Sequence, residues 1–161
     1  PYTTLFRSVK MKNYLKMSFM GISENEATAR TAAAAVFSEL NPTIEQIADV
    51  RTAVSEAVTN AIVHGYRGTS GMVEMECSIM GDIFTVIVSD KGCGIENLEL
   101  AMQPFYTTAK GEERTGIGFA VMQAFMDNLE VTSEIGKGTK VTMKKRVKAF
   151  DDVSELSAVR C

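Results

Sequence analysis

The chain has 161 residues, 45% of them hydrophobic and 23% charged, which suits one globular domain with a core of its own. Its net charge of −3 offers no basic field for nucleic acid, and one histidine beside three scattered cysteines, Cys77, Cys93 and Cys161, argues against a zinc site. No apolar run approaches the roughly 18 residues of a membrane helix and no signal-peptide pattern opens the chain, so the expected address is a reducing cytoplasm, away from membranes.

Residues 1–10 carry no periodicity that continues into the chain and are set apart as an N-terminal tail or artefact. Tyr14 to Met20 then alternates, with Leu15, Met17 and Phe19 on one face, which predicts a half-buried strand. Ser23-Glu24-Asn25-Glu26 has the capping-box pattern and opens an Ala-rich helix to about Leu40. Arg30, on that helix, is the only cation between Lys16 and Arg51. Ala32 to Ala35 beside it leave the guanidinium unshielded, as either a solvated surface residue or a partner-facing anchor.

Asn41-Pro42 breaks the first helix, and Thr43 with Gln46 forms a second capping box for a long central helix that Gly65 is expected to stop. Ile47, Val50, Val54, Val58 and Ala61 recur at spacings of three and four and give that helix an apolar stripe. Glu56, Asn60 and His64 lie four apart, in a second stripe beside the first. A carboxylate one turn from a carboxamide can take a proton while the amide oxygen holds a hard cation; the alternative is a solvated face. Asn is a poor interior helix residue, and among Ala57, Val58, Ala61 and Ile62 something other than helix propensity keeps it.

Val73, Met75, Cys77 and Ile79 alternate with polar residues, Gly81-Asp82 makes a turn, and Ile83 to Asp90 returns as a second hairpin strand. Asp90 extends the apolar row of Phe84, Val86 and Val88, and a carboxylate there needs a donor to offset its desolvation. Gly92 and Gly94, just beyond, either form an ordinary loop or let a ligand lie against bare backbone. Residues 103–115 are polar, lack periodicity and are long for a connector, which suggests a functional lid. Gly116-Ile117-Gly118 opens an apolar helix whose free N–H groups suit a phosphate. A strand at Leu129 to Ser133, a turn at Gly136-Lys137-Gly138 and a last strand from Thr139 to Val147 follow, and residues 148–161 are set apart as a C-terminal tail. There is no P-loop motif, and neither glycine pair has the third glycine of the dinucleotide fingerprint.

In order, the parts are E-x-x-x-N on a helix, D-x-G-x-G after a strand, a lid, G-x-G at a helix start, and Gly138-Thr139 in a turn. This order resembles the ATP-binding fold shared by gyrase, Hsp90, histidine kinases and MutL, over about residues 11–147. The stretches VSEAVTNAIVHGY and QPFYTTAKGEERTGIGF are most similar to the small bacterial anti-sigma factors that are also serine kinases, above all those acting on sigma F. The expected fold is an α/β two-layer sandwich, a mixed, mostly antiparallel sheet with three helices on one face.

The resemblance implies ATP or ADP and Mg²⁺ as cofactors, with Glu56 as general base and Asn60 as the Mg²⁺ residue. Asp90 would accept from the adenine amino group, Gly92 and Gly94 would flank the base, Ile95 would also contact the nucleotide, and Thr139 would support Asp90 or the adenine through an ordered water. Gly116 and Gly118 fit the phosphate side, Thr107, Thr108 and Arg114 the lid over the γ-phosphate, and His64 and Gly65 the helix end near the nucleotide. His64 reads equally as a histidine that complements the helix dipole. Phe119 stands where histidine kinases usually carry Leu.

The implied activity is phosphoryl transfer from ATP to a serine of an anti-anti-sigma protein. The other implied partner is a sporulation sigma factor of the sigma F type held inactive, with Arg30 on the shared partner surface and the kinase acting as a homodimer. A sigma B type stress partner and a free-standing ATPase module remain the alternatives. A pure binding protein with a decayed kinase site fits less well, because Glu56 and Asn60 are intact.

Overall fold

The computed structural model describes residues 10–103 and 117–147. They form a five-stranded sheet, β1 (Met11–Met20), β2 (Met72–Met80), β3 (Ile83–Asp90), β4 (Asn128–Glu134) and β5 (Gly138–Arg146), in the order β1-β2-β3-β5-β4. Every pairing among these strands is antiparallel, so the mixed element expected from the sequence is absent among the described residues. Three helices, α1 (Ser23–Phe37), α2 (Ile44–Asn60) and α4 (Gly118–Phe125), cover one face, and a single-turn helix, α3 (Leu98–Ala101), follows β3.

Strict alternation decides which side of the sheet is buried. Val73, Met75, Cys77 and Ile79 of β2 and Phe84, Val86 and Val88 of β3 all turn to the helices and are almost fully enclosed. Burial pushes the Cys77 thiol up to about 12, so it behaves as an apolar core residue. On α1, Ala29 and Ala33 are small enough to let the helix settle closely, and Phe37 meets Phe84 with ring centroids 5.2 Å apart. The predicted stripe of α2 is the core stripe: Val50, Val54, Val58 and Ala61 are buried and Ile47 packs against them. The edge strand β1 begins at Met11, earlier than expected, and Phe19 is its one buried residue.

The two helix starts differ. Thr43 and Gln46 make the full reciprocal capping box that opens α2. No such box opens α1: its N-cap is Ile22, with no side-chain bond, and Asn25 Nδ2 donates back to the Met20 carbonyl instead. The tight exit from β1, held by Gly21 N–H donating to the Gly71 carbonyl, places Ser23 one residue inside the helix.

Gly65 does not stop the central helix in the way expected. The chain widens after Asn60 into one π turn, Ala61–Gly65, closed by Tyr66 N–H on the Ala61 carbonyl, and positive φ comes only at Arg67 and Gly68. No helix of the described residues is long and apolar enough to cross a membrane.

Candidate functional site

The C-terminal half of α2, the end of β3 and the start of α4 converge. A Cβ built on Gly118 would stand 3.1 Å from Asn60 Nδ2, 3.2 Å from Glu56 Oε2 and 3.3 Å from Asn60 Oδ1. The first turn of α4 therefore rests on the carboxylate and the carboxamide together, and glycine keeps that approach open. Glu56 and Asn60 are half-buried, on the flank of α2 beside its core stripe. A carboxylate, an amide oxygen and the free N–H groups of a helix start give one place a base, a ligand for a hard cation and donors for an anion.

The second part is built around Asp90. It ends the buried row of β3 and is 9% exposed. Burial raises its carboxyl above the usual carboxylate range, and backbone N–H groups of Gly92 and Thr139 draw it part of the way back. The Gly92 bond is 2.8 Å, to Oδ1. Gly65 belongs to this contact: a Cβ there would come within 2.7 Å of Asp90 Oδ1 and 2.8 Å of Cγ. Its backbone carbonyl accepts from Cys93 N–H at 2.8 Å, and a Cβ on Gly92 would collide with the same carbonyl. The π turn thus presents bare backbone to the glycine loop, which explains the glycine at 65 better than helix termination does. A buried acceptor framed by bare backbone suits a flat heteroaromatic ring that carries an amino group.

The far side of the glycine loop is fastened to the turn between β4 and β5. Gly94 has φ +74° and lies against the Glu134 carbonyl, and Cys93 accepts through its carbonyl from Gly136 N–H at 2.9 Å. Ile95 N–H donates to Ser133 Oγ at 2.8 Å, and Ser133 Oγ lies 2.8 Å from Thr139 Oγ1. Thr139 pairs with Asp90 across β3 and β5, and its hydroxyl reaches the glycine loop through Ser133. Gly138, at φ +114°, leaves room for the Asp90 carbonyl.

The structure thus unites Glu56, Asn60 and Gly118 in one cluster and Gly65, Asp90, Gly92, Gly94, Ile95 and Thr139 in another along the same helix end. His64 is half-buried between them, in the π turn, and its carbonyl accepts from Cys93 Sγ at 3.3 Å. Thr107, Thr108, Arg114 and Gly116 lie outside the described residues. Arg30 stands apart on α1 and is not unshielded: its Nη1 donates to both Glu26 carboxylate oxygens, at 2.9 and 3.1 Å, and the side chain is 35% exposed. Glutamate four residues earlier is the signal for this pair in the sequence.

Two structural supports went unassigned in the sequence. Tyr66 OH donates to the Met72 carbonyl at 2.5 Å and accepts from Lys91 N–H at 3.0 Å, so a buried ring pins the chain just after Asp90. Gly71 lies flat against that ring. Ser133 is the other, and nothing in its strand marks it before the sheet is assembled.

The described residues hold no group of three or more His, Cys, Asp or Glu side chains that would form a metal cage. Mg²⁺ keeps several waters and leans on substrate phosphates, so one amide oxygen beside a carboxylate fits its needs. Residues 23–145 match the family of the histidine kinase-like ATPase domain. The chain is 52% identical over 133 residues to the anti-sigma F factor of Clostridium kluyveri, covering 83% of this chain and 94% of that protein. It is 50% identical over 143 residues to the anti-sigma F factor of Clostridium acetobutylicum, covering 88% and 99%. Among solved structures, the RsbU and RsbW domains of Rv1364c from Mycobacterium tuberculosis superpose with a TM-score of 0.61 at 21% identity, over 84% of this chain and 32% of that one, a likeness of fold. With the two clusters in place, these matches lead to one conclusion: the chain belongs to the histidine kinase-like ATPase family and, within it, to the anti-sigma F factors.

Proposed function

We propose that this protein binds a sigma factor of the sigma F type and holds it inactive, and that it phosphorylates a serine of a small anti-anti-sigma protein with ATP, working as a cytoplasmic homodimer. The observation that carries the kinase part is the meeting of Glu56, Asn60 and Gly118 on the helix that also meets buried Asp90. Asp90 accepts from the adenine amino group, and Gly92, Gly94 and Ile95 frame the ring. Asn60 would hold Mg²⁺, which when bound neutralises phosphate charge. The free N–H groups at the start of α4 orient the phosphates, so that positioning and electrostatics supply most of the acceleration. Glu56, over the same spot, takes the proton of the attacking serine hydroxyl. Partner identity rests on the relatives' name, and Arg30 on α1 is the proposed anchor for both partners.

Phosphate transfer to a purified anti-anti-sigma protein, with labelled ATP, tests this reading. Glu56→Gln should keep ATP affinity and transfer phosphate about 10²–10⁴ times more slowly, because an amide cannot take the proton. Undiminished transfer by this variant would remove the base assignment, and hydrolysis with no transfer to any protein would favour a free-standing ATPase.

A further inference from the structure

Lys145 is a buried cation outside both clusters. It lies on the helix-facing side of β5, in the row of Val141 and Met143, and is 9% exposed. Its Nζ donates to Asp49 Oδ2 at 3.1 Å and to the carbonyl of Phe125, the last residue of α4, at 2.6 Å. One ammonium therefore closes the C-terminal end of α4 and ties that end to α2. Asp127 also binds the chain after α4 to β5, through Arg146 N–H and the Lys144 carbonyl, but it does not reach α2.

Asp49 is seven residues before Glu56, two turns up the same side of α2. The two helices thus touch at two polar points: Asp49 through Lys145 at the Phe125 end of α4, and Glu56 and Asn60 against Gly118 at its start. α4 has eight residues, a stiff rod of about 12 Å, so a tilt at one end moves the other. A buried ion pair is seldom the most stable filling of an apolar row; a methionine or leucine would serve the core as well. What the pair supplies is a fixed distance between α2 and α4.

We infer that Lys145 and Asp49 are positioning residues for the phosphate side of the nucleotide site: their bridge sets α4 on α2 so that Gly118 stays over Glu56 and Asn60. The inference rests on the proposed reading of those three residues as the Mg-ATP end of the site. Neither residue touches the adenine pocket, so the effect falls on phosphate binding and leaves recognition of the base alone.

The test compares binding of Mg-ATP and of adenosine by titration in Lys145→Met, which keeps the length of the side chain, and in Asp49→Ala, which leaves the Phe125 bond in place; melting temperatures are recorded beside both. Each variant should weaken Mg-ATP binding, Lys145→Met by about tenfold or more, while adenosine binds within about twofold of the parent. Lys145→Arg, which can reach both acceptors, should restore most of the Mg-ATP affinity. Equal losses for adenosine and Mg-ATP, or no loss for either, would overturn the inference, and Asp49→Ala decides should Lys145→Met not fold. Asn60→Ala separates the two levels: if it too leaves Mg-ATP binding unchanged, the site reading fails and takes the inference with it. If Asn60→Ala weakens Mg-ATP while the Lys145 and Asp49 variants do not, only the inference falls.

Discussion

Gly65→Ala puts one methyl group where the geometry has no room for it. The new carbon would lie 2.7 Å from Asp90 Oδ1, 2.8 Å from Cγ and 3.1 Å from Oδ2, and ordinary contact begins near 3.4 Å. The carboxylate must therefore retreat by about 0.7 Å, the difference between 3.4 and 2.7 Å. It cannot do so freely, because it is buried and held by Gly92 N–H at 2.8 Å. Overpacking of this size costs about 1–3 kcal/mol of stability. Gly65 itself has no positive φ, so the backbone accepts alanine and the damage falls on Asp90. In the proposed reading, a displaced acceptor weakens the charge-assisted bond to the adenine amine, an expected loss of about 1.5–3 kcal/mol, or roughly ten- to a hundredfold in ADP affinity. Denaturant unfolding and ADP calorimetry measure both. The decisive control is Asp90→Ala, which empties the space the methyl group needs. In that background Gly65→Ala should cost little stability, giving a coupling of about 1 kcal/mol or more between the two sites. An equal cost in both backgrounds would refute the clash with Asp90.

The raised carboxyl of Asp90 gives a signed pH dependence. In the proposed reading adenine needs the ionised form, so ADP affinity should fall as pH drops through the raised value, above the usual carboxylate range. Stability of the nucleotide-free protein runs the other way: a folded-state pKa above the unfolded one favours the fold at low pH and loses that contribution as pH rises through it. Asp90→Asn should abolish both trends and bind ADP more weakly at neutral pH; a persistent trend in that variant would assign it to another group. Arg30→Ala loses only a helical pair worth about 0.3–0.5 kcal/mol, so it should fold and bind ATP normally. With Arg30 as the proposed anchor for the sigma factor and the anti-anti-sigma protein, the substitution should nevertheless cost about 2 kcal/mol or more in affinity for each, and full-strength binding in a titration would return Arg30 to a surface role.

Periodicity and chemistry are local, and the sequence settled what depends on them. The alternation of Val73 to Ile79 and of Phe84 to Asp90 fixed a hairpin and put Asp90 on its buried face, because side chains in a strand can point only two ways. The spacing of Glu56 and Asn60 fixed a shared helix flank, and Thr43 with Gln46 announced the start of α2. Ser23 carries the same signal without capping its helix, because the bond between Gly21 and Gly71, fifty residues apart, decides where that helix begins. The wide turn at Ala61–Gly65 was equally hidden: one i→i+5 bond is favoured only once Gly65 has Asp90 and Cys93 to meet. Gly118 looked like a helix-start glycine, and only packing of α4 on α2 shows that it lies over Glu56 and Asn60. Tyr66, Ser133 and Lys145 carry no motif at all; each acts by reaching a backbone or side-chain group far along the chain, and which groups are within reach is decided by the assembled sheet and helices.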